Sequence, residues 1–163
     1  MLLGALEAGG TKMICSMGNE QGQIVDRVSI PTGQPQQTLK DIAAYFMARR
    51  PQAVGIGSFG PLQLNPGKTA YGSLTSTPKL AWQNVPILDY FKDVLRVPIA
   101  IDTDVNAAAL AEWKLGAARG LNGCVYFTVG TGIGGGVVSG GKIIHGLVHL
   151  ELGHVLLRPM PND

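Results

Sequence analysis

The sequence predicts an α/β fold. Three strands are followed by alternating helices and strands, in the order βββαβαβα, and a strand-rich pattern then begins again. Three observations point there. Short apolar runs alternate with stretches whose apolar residues recur at helical spacing. A Gly-Thr turn follows a strand in each half of the chain, at Gly9-Gly10-Thr11-Lys12 and at Gly130-Thr131-Gly132-Ile133-Gly134. Each turn sits in the same setting of strand, turn, strand and second turn, which is a weak internal repeat.

The elements follow in order. Residues 2–8 and 13–17 are apolar runs on either side of the first glycine turn. The turn Gly18-Asn19-Glu20-Gln21-Gly22 leads into a third run at 24–30, and together these read as a three-strand meander. Leu39, Ile42, Ala43, Phe46 and Met47 recur at helical spacing over 35–49, and Arg49-Arg50-Pro51 ends that helix. Residues 53–59 read as a strand. The stretch 60–84 is rich in Pro, Gly, Ser and Thr, and a loop that long in a compact domain is usually functional. Pro86 opens a helix carrying Leu88, Phe91, Val94 and Leu95, residues 98–101 form a strand, and 104–118 form an Ala-rich helix stopped by Gly120. The second pattern has a strand at 125–129, a glycine turn at 130–136, a strand at 137–138, a hairpin turn at 139–142 and a strand at 143–144.

Residues 1–120 therefore read as one domain, and 121–163 as the beginning of a second, similar one whose helices are missing. The expectation is a piece of a longer protein.

Composition narrows the function. Hydrophobic residues make up 45% and charged residues 15%, which favours a packed core over disorder. The net charge of +2 is spread without a basic stripe, so nucleic acid is a poor partner. No apolar run is long enough to span a bilayer. The amino terminus lacks a basic n-region and carries Glu7 where a signal peptide would be apolar. Cys15 and Cys124 sit in separate apolar runs and read as buried free thiols of a cytoplasmic protein.

Three groups of residues bear chemistry. In the two glycine turns, amides without a neighbouring Cβ can reach phosphate oxygens, and successive N–H groups form an anion nest. Thr11 and Thr131 add hydroxyl donors, and Lys12 adds a positive charge. Two motif matches are rejected. Gly130-x-Gly132-x-x-Gly135 matches a dinucleotide fingerprint but leads into a strand instead of a helix. Gly136-x4-Gly141-Lys142 nearly spells a P-loop, yet Ile143 stands where a magnesium-binding Ser or Thr is needed. The second group is Asp102-Thr103-Asp104-Val105-Asn106, where a strand ends and a helix begins. A carboxylate there can take a proton from a hydroxyl that attacks phosphorus. By spacing alone Asp104 serves equally well as a helix cap, and Asp102 competes for the same role. The third group is His145, His149, Glu151 and His154, whose spacing is not that of a zinc-protease helix.

These strings occur together in one family. The chain resembles, from end to end, the ROK family of sugar kinases and repressors, and within it the bacterial fructokinases. The matching strings are Glu7-Ala8-Gly9-Gly10-Thr11-Lys12, Gly55-Ile56-Gly57-Ser58-Phe59-Gly60-Pro61, Ser76-Thr77-Pro78-Lys79 with Trp82, Thr103-Asp104-Val105-Asn106-Ala107-Ala108-Ala109, Gly130-Thr131-Gly132-Ile133-Gly134, and His149-Leu150-Glu151-Leu152-Gly153-His154. The resemblance implies an actin-like ATPase, or ribonuclease-H-like, fold. It implies phosphorylation of a hexose hydroxyl by ATP and Mg²⁺, with fructose to fructose 6-phosphate favoured. It makes Asp104 the catalytic base in preference to Asp102. Gly9, Gly10, Thr11, Lys12, Thr131, Gly132 and Gly134 would then face the ATP phosphates. Gly60, Thr77, Pro78, Asp104, Glu151 and His154 would bind the sugar. His154 would also be a ligand of a structural Zn²⁺ completed by a Cys/His cluster downstream, which this sequence does not contain. A homodimer is implied as well. Thr103 stands where many family glucokinases have Asn, which fits the fructokinase branch. Phe59 replaces a common Pro, and Leu150 stands where fructokinases often have Pro. The rival readings are a sugar-binding ROK-type regulator, whose relatives carry an amino-terminal helix-turn-helix, and an inactive truncated fragment.

Overall fold

A computed structural model describes residues 1–130, 132–146 and 150–156. Strands β1 (Leu3–Ala8), β2 (Lys12–Gly18) and β3 (Ile24–Pro31) form the meander. Helix α1 (Pro35–Arg49), strand β4 (Ala53–Ser58), helix α2 (Ile87–Leu95), strand β5 (Ile99–Thr103) and helix α3 (Asp104–Leu115) follow. The second pattern supplies β6 (Gly123–Val129), β7 (Ile133–Ser139) and β8 (Lys142–Ile143).

The first five strands make one sheet in the order β3-β2-β1-β4-β5. The β1–β2 and β2–β3 pairs are antiparallel, whereas β1–β4 and β4–β5 are parallel. Parallel neighbours need a crossover, and α1 and α2 supply it. Both helices cover the same face. Leu39, Ile42, Phe46, Leu88 and Phe91 pack there on Leu6, Ala8, Val54, Ile56 and Ile101, with Phe46 and Ile42 fully buried. Because side chains alternate along a strand, Gly55, Gly57 and Asp102 point to the opposite face. Helix α3 lies on that face. A Cβ on Gly57 would come 3.0 Å from the Ala107 Cβ, so the bare strand admits the helix at close range. β6, β7 and β8 form a second, antiparallel sheet against the other flank of α3.

Local signals explain the helix limits. Pro35 sits at the start of α1, where its missing N–H costs nothing. Arg50, with φ 52°, closes the helix in a left-handed turn that donates its N–H to the Phe46 carbonyl. Thr103 caps α3, its hydroxyl accepting from the Asn106 N–H at 3.2 Å.

Four expectations are corrected. The glycine turn at 130–136 is shorter, because β7 already begins at Ile133 and pairs Gly134, Gly135 and Gly136 with Thr128, Phe127 and Tyr126. Helix α3 ends at Leu115 with Gly116 as its cap, ahead of Gly120, because Gly116 leaves the helical conformation at ψ -146° and the Glu112 carboxylate folds over to accept the Ala117 N–H at 2.9 Å. The last strand of the second sheet covers Lys142–Ile143 instead of 143–144. Cys124 is half-buried, its thiol donating to the Ala109 carbonyl at 3.4 Å, whereas Cys15 is fully buried as expected.

The two cysteines should therefore differ in reactivity. Burial pushes the Cys15 thiol up to about 12, against a small opposing effect of Arg49. The thiolate is the reactive species, so Cys15 in the native protein should alkylate about 10³-fold more slowly than after unfolding. Iodoacetamide labelling of native and urea-unfolded protein, read by peptide mass spectrometry, checks this. Equal labelling of both cysteines in the native state would contradict it.

Candidate functional site

The site is assembled where β5 ends and α3 begins. Two carboxylates two residues apart meet different surroundings. Asp102, the fourth residue of β5, is half-buried and fully engaged. Its Oδ1 accepts from the Thr103 N–H at 2.8 Å and from the Asn106 side-chain amide at 2.7 Å, and its Oδ2 lies 2.8 Å from the His145 Nε2. Asn106 is itself 1% exposed, and its side-chain Oδ1 has no hydrogen-bond partner among the described residues. Asp104 is the first residue of α3 and is exposed. Thr103 does the capping, which removes helix capping as the reason for an aspartate at 104. An anion at this position is favoured by the unpaired N–H groups of the helix terminus.

Asp104 lines a cleft of about 670 Å³ between the first sheet and α3, which Glu7, Gly57, Asp102 and Thr128 also line. A larger apolar hollow of about 760 Å³ lies over β1, β2 and β4. It lacks Asp104, and neither hollow is lined by the glycine turns.

The two glycine turns are hairpin tips. In the first, the Gly9 N–H donates to the Lys12 carbonyl at 3.1 Å, and Thr11 and Lys12 are exposed. A side chain at Gly9 would come 2.6 Å from that carbonyl, so the turn requires a bare backbone there. Thr32 braces it, with its hydroxyl donating to the Gly9 carbonyl at 2.8 Å and its N–H to the Thr11 carbonyl at 3.0 Å. In the second, the Gly130 N–H donates to the Gly132 carbonyl at 2.9 Å, and both glycines are exposed. Thr131 lies outside the described residues, as does His149. Gly134 is in β7 and meets the Val105 side chain, so its bareness serves helix packing.

The expected sugar-binding residues fall in two places. Gly60 is half-buried behind β4 and precedes Pro61 through a cis peptide bond. Thr77 is 2% exposed, and its carbonyl accepts from the Gln83 side-chain amide at 3.0 Å, while Pro78 is exposed. Glu151 immediately precedes the short turn Leu152–His154, with 3.3 Å between His154 Nδ1 and Glu151 Oε2. That turn is pressed on β7, because a side chain at Gly153 would collide with the Ile133 carbonyl and one at Gly135 with Leu152. One strand, β7, thus carries the second glycine turn, touches α3 beside Asp104, and seats Glu151 and His154.

Zinc does not fit what is present. Among the described residues no group of three or more His, Cys, Asp or Glu side chains is placed to hold a metal, and His154 has Glu151 as its neighbour there. Among the described residues, no helix is long and apolar enough to cross a membrane.

The sequence profile of the ROK family matches residues 3–162. This chain belongs to the ROK family. The fructokinase of Pediococcus pentosaceus is 45% identical over 163 residues, covering 100% of this chain and 57% of that protein. The ROK hexokinase of Thermus thermophilus superposes with a TM-score of 0.80 at 34% identity, covering 98% of this chain and 54% of the other. The ROK glucokinase of Streptomyces griseus, solved with glucose and AMPPNP, superposes with a TM-score of 0.81 at 27% identity, covering 98% and 52%. The actin-like ATPase fold of these ROK enzymes is the fold of this chain, which spans about half their length.

Two features of the site escaped the sequence. The network around Asp102 joins β5, α3 and the segment after β8 through residues 102, 106 and 145, and only their residue types hinted at it. Lys79 approaches Gly10, although 69 positions separate them in the chain.

Proposed function

We propose that this chain contributes the catalytic base and the phosphate-binding turns of an ATP-dependent sugar kinase. The observation that carries the proposal is placement: Asp102 is held in a network with Asn106 and His145, while Asp104, whose Oδ1 accepts from the Val105 N–H at 2.9 Å, is exposed on the cleft at the end of β5. In an open α/β sheet, ligands bind beyond the carboxyl ends of the strands.

The reaction follows from that placement. Asp104 accepts the proton of the sugar hydroxyl as its oxygen attacks the γ-phosphorus. The bond from that phosphorus to the β,γ-bridging oxygen breaks, and ADP leaves with the electron pair. The turns at Gly9–Lys12 and 130–132 supply amides and the Lys12 charge for the phosphates. Glu7 and Asp104 line the same cleft as Asp102, and these carboxylates suit a magnesium-bound triphosphate. Mg²⁺ when bound offsets phosphate charge. Gly60, Thr77, Pro78, Glu151 and His154 form the sugar side in this reading. Residues 1–120 form one lobe and 121–163 begin the second.

The 6-hydroxyl of fructose is the favoured acceptor. Two things support it: Thr103 in the fructokinase pattern, and 45% identity to a fructokinase against 27% to a glucokinase. A coupled ADP-release assay on the protein that carries this chain, with fructose, glucose, mannose and N-acetylmannosamine, tests it. The expected kcat/KM for fructose exceeds that for glucose by at least about 10-fold. A glucose preference would overturn the sugar assignment. Sugar binding without ADP release would favour a ROK-type regulator, and neither binding nor turnover an inactive piece. The same reading carries homodimeric assembly and a cytoplasmic location, which light scattering and cell fractionation check.

A further inference from the structure

We infer that Lys79 is a phosphate ligand at the first glycine turn, set there by the loop that also carries Thr77 and Pro78. This rests on the kinase reading above and adds a charged group to it.

Three observations converge on Lys79. The first is proximity: a Cβ built on Gly10 would lie 3.5 Å from the Lys79 Cε, so the ammonium-bearing end of the side chain lies over the bare side of the turn. The second is fixation. The Lys79 N–H donates to the Thr77 hydroxyl at 3.4 Å, and its carbonyl accepts from the Trp82 N–H at 2.8 Å. Trp82, 1% exposed, donates its indole N–H to the Gly33 carbonyl at 3.0 Å. The neighbouring Thr32 braces Gly9 and Thr11. One short connection between β3 and α1 therefore holds both the turn and the lysine. The third is charge. Lys79 is half-buried, yet among the described residues no carboxylate lies within ion-pair distance of it. An anion at the turn would supply this cation with a counter-charge.

The ligand class is a polyphosphate. With Lys12 at the other end of the turn, Lys79 places a second cation beside amides that can receive phosphate oxygens. Because it belongs to the loop assigned to the sugar, it sits where a phosphoryl group would face its acceptor. It stabilises charge on the transferring phosphate without moving a proton.

The test compares wild type, Lys79→Met and Lys79→Arg in the protein that carries this chain, with two measurements. In the coupled assay with the preferred hexose, Lys79→Met should lower kcat/KM for ATP by about 10²-fold and leave the sugar KM within about threefold. Lys79→Arg should recover most of the loss. In calorimetry, inorganic tripolyphosphate is the probe, and Lys79→Met should weaken its binding by about 10-fold with rescue by arginine. If wild type releases no ADP with any hexose, the kinase reading fails, and the tripolyphosphate titration alone decides the role of Lys79. Unchanged tripolyphosphate affinity in Lys79→Met, or a loss confined to sugar KM, overturns the assignment. A circular-dichroism melt confirms that each variant is folded.

Discussion

Replacing Asp104 with Asn should lower kcat by about 10³-fold while the sugar KM stays within a few-fold. General-base catalysis contributes roughly 10²- to 10⁴-fold, and the amide keeps the shape of the carboxyl but cannot take the proton. The fold should tolerate the change. Thr103 remains the cap of α3, so only a favourable charge at the helix terminus is lost, about 0.5 kcal/mol. Asp102→Asn makes the informative contrast. It weakens the acceptors of the Thr103 and Asn106 N–H groups and the link to His145, so it should cost stability first and turnover second. Coupled ADP release and urea denaturation on both variants measure the two effects separately. An Asp104→Asn protein within threefold of wild-type kcat would remove Asp104 from the mechanism.

The second large effect is expected at Gly136, far from Asp104 in sequence and in contact with the next residue in space. A methyl group at 136 would sit on the Val105 carbonyl oxygen, 2.7 Å from its carbon and 2.9 Å from the Asn106 nitrogen. All three are backbone atoms of the first turn of α3, so no side chain can rotate away. Either β7 or the helix terminus must move. Overpacking of this kind costs about 3 kcal/mol, and relief by shifting α3 displaces Asp104. Gly136→Ala should therefore lose stability by about that amount and lose at least 10²-fold in kcat, since a displacement near 1 Å at a reacting group carries such a penalty. Gly130→Ala is the matched control, because a Cβ there would meet nothing within 4 Å. Equal stability of the two variants would contradict the packing argument.

How far the sequence foretold all this depends on how local each signal is. Helix α1 was legible from end to end, because Pro35 starts it, Arg50 and Pro51 stop it, and Leu39, Ile42 and Phe46 mark its buried stripe. The meander was legible through its glycine turns and alternating burial. The run Gly134–Gly136 was conspicuous but misread as part of a turn. Its glycines are bare to admit Val105 and Leu152, residues about 20 to 30 positions away, and no local pattern reveals such partners. The choice between Asp102 and Asp104 was likewise closed to spacing. The structure distinguishes their surroundings: Asn106 and His145 engage Asp102, and Thr103 is the cap beside Asp104. Lys79 was visible only as part of a string, since its closeness to Gly10 depends on Trp82 folding back onto Gly33.

Helix α3 follows the last strand of the five-stranded sheet yet is sheltered on one flank by the strands that come after it. During synthesis this order matters. The five-stranded sheet and α3 leave the ribosome first, at about 5–20 residues per second, and for a few seconds the helix has one flank uncovered. Val105, Ala109 and Trp113 then await Gly134, Cys124 and Gly141. Only when the β6–β7 hairpin closes over them is the turn bearing Asp104 held in place. The last event in building this part of the chain is thus the packing of the hairpin beside Asp104, so a nascent chain can hold a folded sheet before that flank is closed.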